Sequence, residues 1–344
     1  MIIGRGSGDY TVKYRPCLVE EVIGQDVAKD IIKRALSGNI VAPAYLFHGE
    51  SGTGKTTMAR ILAMGVNCLA HGLPTPEPCM ECENCNQIYL QRTPEYMEIN
   101  VGDKTGVDSA RDLTGDLIYS TIDLKRRMVV LDECQQMTSQ AQNMLLKPIE
   151  DATADTHFIL CTTEPKKIIK PLRSRCKPIE FKRVSKPNLL VLLESICQFE
   201  GLEYNVKNLR LMLIENPSPR DAVSSLQQVV TANKLNDSNW IRKFMDQLTE
   251  EEEGQVIELA RLVNKGYWKP VAQKVKQLAN SYSEEQMRII LALYFTKALL
   301  NAKSEEEAKK FSIILNWLKQ PIYTHKPLIE LTHALYNATK RKRP

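Results

Sequence analysis

The sequence predicts an α/β domain built on a parallel sheet, followed by an all-helical half, and three observations predict it. Strand patterns at 44–47, 96–100, 127–131, 157–161 and 177–181 alternate with helical patterns, such as those at about 108–118 and 138–150. That is the order of a parallel sheet covered on both faces. The first run ends in a glycine-rich turn and is followed by a helical pattern from Met58 to Met64. After Phe181 glycine becomes sparse and the periodicity stays helical to the end. At 344 residues with 43% hydrophobic content the chain is long enough for more than one core.

At the N-terminus, residues 9–25 join basic and aromatic residues to a proline and an apolar segment ending in VIGQ. Residues 26–36 predict an amphipathic helix, with Val27, Ile31, Ile32 and Leu36 on one side and Gly38 closing it. The string AYLFHGESGTGKTT at 44–57 then fits the P-loop pattern through Gly49, Gly54, Lys55 and Thr56. At average composition such a string arises by chance in roughly one chain of this length in a hundred. Across Gly49, Glu50, Ser51, Gly52, Thr53 and Gly54 the backbone curls so that its N–H groups face phosphate oxygens; the helix starting at Lys55, Thr56 and Thr57 adds its positive dipole end. In such a loop Lys55 reaches the β- and γ-phosphates and the Thr56 hydroxyl ligates Mg²⁺.

Between this helix and the second strand lie Cys68, Cys79, Cys82 and Cys85, spaced C-x10-C-x2-C-x2-C. Four thiolates suit tetrahedral Zn²⁺, and the prolines at 74, 76 and 78 indicate a rigid loop, so the expectation is a closed structural site within about 68–92. His71 is a substitute ligand that four cysteines make unnecessary. A disulfide pair is the competing reading, opposed by the absence of a secretory signal. The other five cysteines, Cys17, Cys134, Cys161, Cys176 and Cys197, are scattered in mostly apolar contexts that predict burial.

The third strand ends MVVLDE, placing Asp132 and Glu133 at the C-terminal edge of the sheet, where open α/β sheets bind ligands. This is a Walker B pattern: Asp132 holds Mg²⁺ directly or through water, and Glu133 orients and deprotonates the attacking water. The fourth strand ends in Thr162 and Thr163, whose hydroxyls suit the γ-phosphate or that water. In PLRSRC, 171–176, Arg175 sits in a segment carried to the domain surface, and the expectation is that it acts on a neighbouring subunit's γ-phosphate; a surface salt bridge is the plainer alternative.

Residues 186–200, 205–215 and 219–234 predict a three-helix lid, whose third helix opens PSPRDAV. Arg220 in that first turn opposes the helix dipole, which a phosphate partner would explain. Beyond about residue 240 a helical bundle follows, with capping boxes Thr249–Glu252, Ser283–Gln286 and Ser304–Glu307 marking helix starts and Trp240, Trp268 and Trp317 serving as packing residues. The net charge of +5 permits a polyanionic partner without requiring one, and the KRKRP tail reads as a solvated end. No run of 18 apolar residues exists and the N-terminus lacks the layout of a secretory signal, so a cytoplasmic protein with no membrane partner is expected.

With these motifs in order, the sequence resembles the ATPase subunits of bacterial sliding-clamp loaders, the gamma/tau family of the AAA+ superfamily. The resemblance rests on KYRP at 13–16, VIGQ at 22–25, GESGTGKTT, the four-cysteine insert after GVNC, VVLDE, LCTTEPKKI, LRSRC at 172–176 and PRDA at 219–222, and covers about residues 10–235. It implies an AAA+ core at 1–181, a lid at 182–240 and an α-helical collar at 241–344 that assembles a ring, a pentamer in the family. It further implies an ATP-driven motor that works with other loader subunits to open a sliding clamp and place it on primer-template DNA. In that scheme Arg175 is the finger acting in trans, Thr163 the first sensor and Arg220 the second. Tyr14, Arg15 and Ile23 frame the adenine, while Lys104, Ser109 and Arg111 contact the DNA backbone. Gln135 departs from the family, which often has His there, and Pro148 interrupts the helix in LLKPIED. Two alternatives stand beside the motor: another AAA+ DNA machine of the branch-migration or initiator type, or a stator of the same ring that does not hydrolyse ATP.

Overall fold

The structure, a computed structural model, describes residues 8–72, 74–101, 124–151, 155–214, 216–279, 282, 284–302, 304–320 and 327–341. Its compact units are Met1–Ile241 and Arg242–Pro344.

The first unit is built on five parallel strands: β1 (Ala44–Gly49), β2 (Tyr96–Asn100), β3 (Arg127–Asp132), β4 (Thr156–Thr162) and β5 (Lys177–Phe181). They lie in the order β2-β3-β4-β1-β5, and every pairing is parallel, as the alternation of strands and helices predicts. The central strands β1, β3 and β4 are covered on both faces and read as nearly continuous apolar runs, whereas the edge strands β2 and β5 include exposed or half-buried positions. Alternate residues go to opposite faces. Tyr45 and Phe47 pack against α2 (Asp26–Ser37) and α3 (Lys55–Asn67), whereas Ala44 and Leu46 join Leu131, Leu160 and Leu172 on the other side. The register Phe47↔Cys161 and Leu131↔Leu160 brings the C-terminal ends of β1, β4 and β3 to one edge, with β4 between the other two.

The expected helix at 138–150 is two helices, α5 (Ser139–Met144) and α6 (Leu146–Glu150), because Pro148 has no N–H to give to the turn before it and fits only the first turn of a new helix. The expected helix at 108–118 lies outside the described residues. A short α1 (Tyr10–Lys13) precedes α2, α4 (Glu83–Tyr89) closes the cysteine insert, and α7 (Lys170–Arg175) leads into β5. The lid helices are α8 (Lys186–Phe199), α9 (Val206–Leu211) and α10 (Pro219–Thr231), capped by Ser185, Asn205 and Ser218. The lid falls within the same compact unit as the α/β core.

The second unit holds α12 (Trp268–Leu278), α13 (Glu284–Leu300), α14 (Glu305–Leu318) and α15 (Pro327–Thr339), and α11 (Ser238–Lys265) leads into it. Here one expectation is corrected: no helix begins at Thr249, since α11 runs through that position, and a T-x-x-E string also occurs inside helices. Ser304 does cap its helix, accepting from the Glu307 N–H at 3.2 Å, while Ser283 lies outside the described residues. Leu259, Val263, Leu291, Phe295, Ile314 and Leu335 form the core, and Trp268 packs edge-on to Tyr336 with ring centres 5.1 Å apart. Ile289, Leu293 and Leu300 are exposed on α13. Among the described residues no helix is long and apolar enough to cross a membrane.

Candidate functional site

The turn after β1 is shaped by glycines that have no substitute. Gly49 has φ +149°, and a Cβ there would lie 2.0 Å from the Phe181 carbonyl oxygen. Gly52 has φ +71° and abuts Ser218 of the lid, and Gly54, at φ +102°, turns the chain into α3. These left-handed conformations are open to glycine at no steric cost. The α3 N-terminus has no side-chain cap, so its first N–H groups face the turn. Lys55, 6% exposed, folds back over the loop, its Nζ donating to the carbonyls of Gly49 at 2.9 Å and Glu50 at 2.8 Å. Burial pushes its pKa down, and the nearby Cys161, Asp132 and Glu133 favour the charged form.

At the ends of β3 and β4 a second set of polar groups converges. The Thr56 hydroxyl donates to Asp132 Oδ2 at 2.5 Å, so the two oxygens expected to ligate Mg²⁺ already touch across 76 positions of sequence. The donor set fits a magnesium ion, which takes oxygen ligands and keeps several waters; on binding the ion would take the place of the hydrogen bond between these two oxygens. The Glu133 N–H donates to Asp132 Oδ1 at 2.9 Å, and Glu133 itself holds the left-handed region at φ +54°. Gln135 Nε2 donates to Glu133 Oε2, and Gln135 Oε1 accepts from the Thr162 hydroxyl at 2.9 Å and the Thr163 N–H at 3.4 Å. The fully buried Thr162 thus supplies the hydroxyl facing this group, whereas Thr163 contributes its backbone.

A cleft of about 350 Å³ opens between α1, the P-loop, the acidic edge and the lid. Ser51 to Thr57, Asp132, Glu133, Tyr14, Arg15, Ile23 and Arg220 line it; Gly49 and Glu50 stand behind the turn, and Thr163 does not reach the lining. Sequence reasoning named no site role for Tyr10, Thr11, Glu98 and Leu192, which carry no motif, nor for Pro16, Val22, Pro219 and Val223, which stand inside or beside the KYRP, VIGQ and PRDA strings. Glu98 is held by Arg60 at 2.6 Å and by the Tyr96 hydroxyl at 2.8 Å. The α1 wall is fastened to the lid: Tyr14 Oη and Lys13 Nζ both donate to Glu200 Oε1, at 2.5 and 2.7 Å, and the Tyr10 N–H donates to Gln227 Oε1 at 2.9 Å. Arg175 lies outside the cleft, where its guanidinium bonds the Glu150 carboxylate and the Pro171 carbonyl, the Nε contact being 2.8 Å. Lys104, Ser109 and Arg111 lie outside the described residues.

The four clustered cysteines come together around one point. Their sulfurs all lie within 4.8 Å of one another. Four sulfurs at a Zn–S distance of about 2.3 Å would be about 3.8 Å apart. Backbone N–H groups already face the sulfurs, from Cys79 to Cys68 Sγ at 3.4 Å, from Cys82 to Cys79 Sγ at 3.3 Å and from Leu69 to Cys82 Sγ at 3.4 Å. The Glu81 N–H is the main cause that draws the Cys79 thiol down to about 7. The donor set fits a closed tetrahedral site, and exposed His71 is no part of the cluster. All nine cysteines are free thiols, and the five scattered ones are buried.

A family model described as DNA polymerase III, delta subunit, matches residues 24–185. The chain is 35% identical over 222 residues to DNA polymerase III subunit gamma/tau of Mycobacterium tuberculosis, a match spanning 63% of this chain and 38% of that one. It is 31% identical over 242 residues to DNA polymerase III subunit gamma of Buchnera aphidicola, spanning 70% of this chain and 65% of that one. The chain therefore spans less than two-thirds of the length of the curated relatives it matches. Among solved structures, the RuvB Holliday junction branch migration motor of Thermotoga maritima aligns with a TM-score of 0.52 over 72% of this chain and 78% of that one, at 19% identity, a likeness of fold alone.

Proposed function

We propose, from the premise that the chain is a clamp-loader AAA+ subunit of the DNA polymerase III gamma/tau type, that it is the ATPase motor of a loader that opens a ring-shaped sliding clamp and places it on primed DNA during replication. The observation that carries the motor reading is the convergence in one cleft of Lys55, the touching Thr56–Asp132 pair, Glu133 and the lid's Arg220. A subunit that only supported the ring would have no need of this complete set.

In this reading the P-loop N–H groups hold the phosphates of ATP, and Lys55 exchanges the carbonyls of Gly49 and Glu50 for the β- and γ-phosphate oxygens. Thr56 and Asp132 hold Mg²⁺, which when bound neutralises charge building on the β- and γ-phosphates. Glu133 takes the proton of the attacking water, and Arg220 offers a cation from the lid. Tyr14, Arg15 and Ile23 frame the adenine, and Thr163 senses the γ-phosphate side through the Gln135 contact of its N–H. Arg175 exchanges Glu150 for a neighbour's γ-phosphate, which makes hydrolysis depend on assembly. Cys68, Cys79, Cys82 and Cys85 hold a structural Zn²⁺.

The organisation we propose is an AAA+ core at 1–181, a lid at 182–240 and a collar at 241–344. The exposed Ile289, Leu293 and Leu300 on one side of α13 suit a collar that packs against other loader subunits. Lys104, Ser109 and Arg111 would contact primer-template phosphates, giving shape-based and salt-sensitive binding. A cytoplasmic location follows from this role. ATP turnover measured with clamp and loader partners tests the proposal, comparing no DNA, primed template and a four-way junction. Stimulation by primed template plus clamp is expected. Turnover stimulated by the junction alone would favour a branch-migration machine, and absent turnover a stator.

A further inference from the structure

We propose that Gln135 is a positioning residue for water activation: its amide aims the Glu133 carboxylate and ties it to the end of β4. The inference rests on the reading of Glu133 as the group that takes the water's proton. Three hydrogen bonds run in one direction toward that carboxylate. The Glu164 N–H donates to Thr162 Oγ1 at 3.0 Å, the Thr162 hydroxyl donates to Gln135 Oε1 at 2.9 Å, and Gln135 Nε2 donates to Glu133 Oε2.

The direction is forced by chemistry. An ionised carboxylate only accepts, so the Gln135 NH₂ must face Glu133 and its oxygen must face β4. The Thr163 N–H, 3.4 Å from the same oxygen, fixes the same orientation. Thr162 is fully buried and uses both its acceptor and its donor in this chain, so it leaves Gln135 little freedom to turn away. Glu133 lines the cleft while Gln135 stands behind it. With Oε2 engaged by the amide, Oε1 is the oxygen left to take a proton. The left-handed backbone at Glu133 sets where the side chain starts, and the amide sets where the carboxylate ends.

A glutamine at this place also has a consequence that a histidine would not. The amide is neutral at every working pH, so position 135 adds no titrating group to Asp132 and Lys55, which already stand beside the Glu133 carboxylate. The segment after Glu164 forms the short turn Pro165–Lys167 and then α7, which carries Arg175, so the same bonds tie the Glu133 carboxylate to the stretch leading to that arginine.

The test is steady-state ATP turnover by the full chain, in the assembly that gives wild-type turnover. Gln135→Ala is expected to lower kcat about 10- to 100-fold with KM for ATP within about twofold, because it misaligns the base without touching the nucleotide. Thr162→Val, close in volume and lacking the hydroxyl, should lower kcat about 3- to 10-fold, and the double variant should match Gln135→Ala alone. Gln135→His should restore much of the rate above the imidazole pKa and add a new acidic limb to the kcat profile near pH 6.5, absent from wild type. A merely structural role would add no such limb.

Unchanged kcat in Gln135→Ala, a loss carried by KM, or multiplying effects of the two single variants would overturn the inference. If Gln135→Ala fails to bind nucleotide, the profile of Gln135→His and the rate of Thr162→Val decide the matter by the same criteria. Glu133→Gln separates the levels. Full turnover in that variant would overturn the reading of Glu133 itself, whereas an inactive Glu133→Gln beside a fully active Gln135→Ala would overturn only the role of Gln135.

Discussion

Gly52→Ala should disturb both stability and nucleotide binding, because this glycine is where the P-loop meets the lid. A Cβ at residue 52 would lie 2.2 Å from Ser218 Oγ and 2.7 Å from Ser218 Cβ, at a backbone φ of +71°. An alanine held in the left-handed region costs about 1–2 kcal/mol. Ser218 must also move, and it is the N-cap of α10, accepting from the Asp221 N–H at 3.3 Å; losing such a cap costs about 1 kcal/mol. Together these give about 2–3 kcal/mol, and a unit of this size loses about 2–4 °C per kcal/mol, so thermal unfolding should fall by roughly 5–10 °C. Arg220 stands two residues after the displaced cap and lines the cleft, so titration with a fluorescent ATP analogue should show affinity weakened by about tenfold or more. Adding Ser218→Gly removes both close atoms at a cost of only a few tenths of a kcal/mol, since glycine is a tolerable N-cap. The nearest remaining neighbour, Arg220 Cβ at 3.5 Å, is an ordinary contact. The double variant should therefore recover most of the lost affinity and keep only the backbone strain. A Gly52→Ala protein that melts and binds like wild type would refute the reasoning, as would a double variant worse than the single one.

Arg175→Ala should leave ATP binding intact and remove most hydrolysis in the assembled complex, by about 10³–10⁵, with an unchanged rate returning Arg175 to its contact with Glu150. Metal analysis should find one zinc per chain; Cys82→Ser should lose it and melt earlier, while Cys197→Ser, in a buried site away from the cluster, should retain it. Burial raises the Glu200 carboxyl, but hydrogen bonds from Lys13 and Tyr14 and the Lys13 charge leave it below its ordinary value. A carboxyl depressed in the folded state contributes stability above its unfolded pKa of about 4.3 and loses it as pH falls through the folded value. Glu200→Gln should thus melt below wild type at pH 7, and the gap should close in scans taken below about pH 4.

The parts of the molecule legible in sequence are those set by neighbours in the chain. The central strands announced themselves because burial on both faces makes them almost continuously apolar, and the P-loop because its glycines are needed where they stand. The Thr56–Asp132 contact follows once those two segments share a sheet edge. Other features arise only from pairing across space. Glu98 is an ordinary strand glutamate until Arg60 and Tyr96 hold it at the cleft. Glu200 ends a lid helix and gives no hint that it holds α1, and Gln135 read only as a departure from a family pattern. The helix start expected at Thr249 failed for the converse reason: a local string that caps a helix when exposed at its beginning is equally at home within one.

These pairings bear on how a bound nucleotide would act on the protein. The cleft wall is composed of α1, the P-loop and the lid, and the outer two are joined directly, through Glu200 to Tyr14 and Lys13 and through Gln227 to the Tyr10 backbone. The P-loop touches the lid separately, at Gly52 and Ser218. A ligand that contacts Tyr14, the P-loop and Arg220 at once can be gripped fully only when the lid and α1 sit together over the turn. It shifts the lid only by the difference between its affinities for the two arrangements, and about 1.4 kcal/mol of difference moves that balance tenfold. Removing the Glu200 contacts would leave α1 held to the lid by the Gln227 bond and the Tyr14–Phe199 ring contact, so the base-side wall would follow the lid more loosely while the binding contacts remain. Gly52 is where binding and lid position are coupled through Ser218, and Glu200 is where that coupling can be loosened without touching the P-loop.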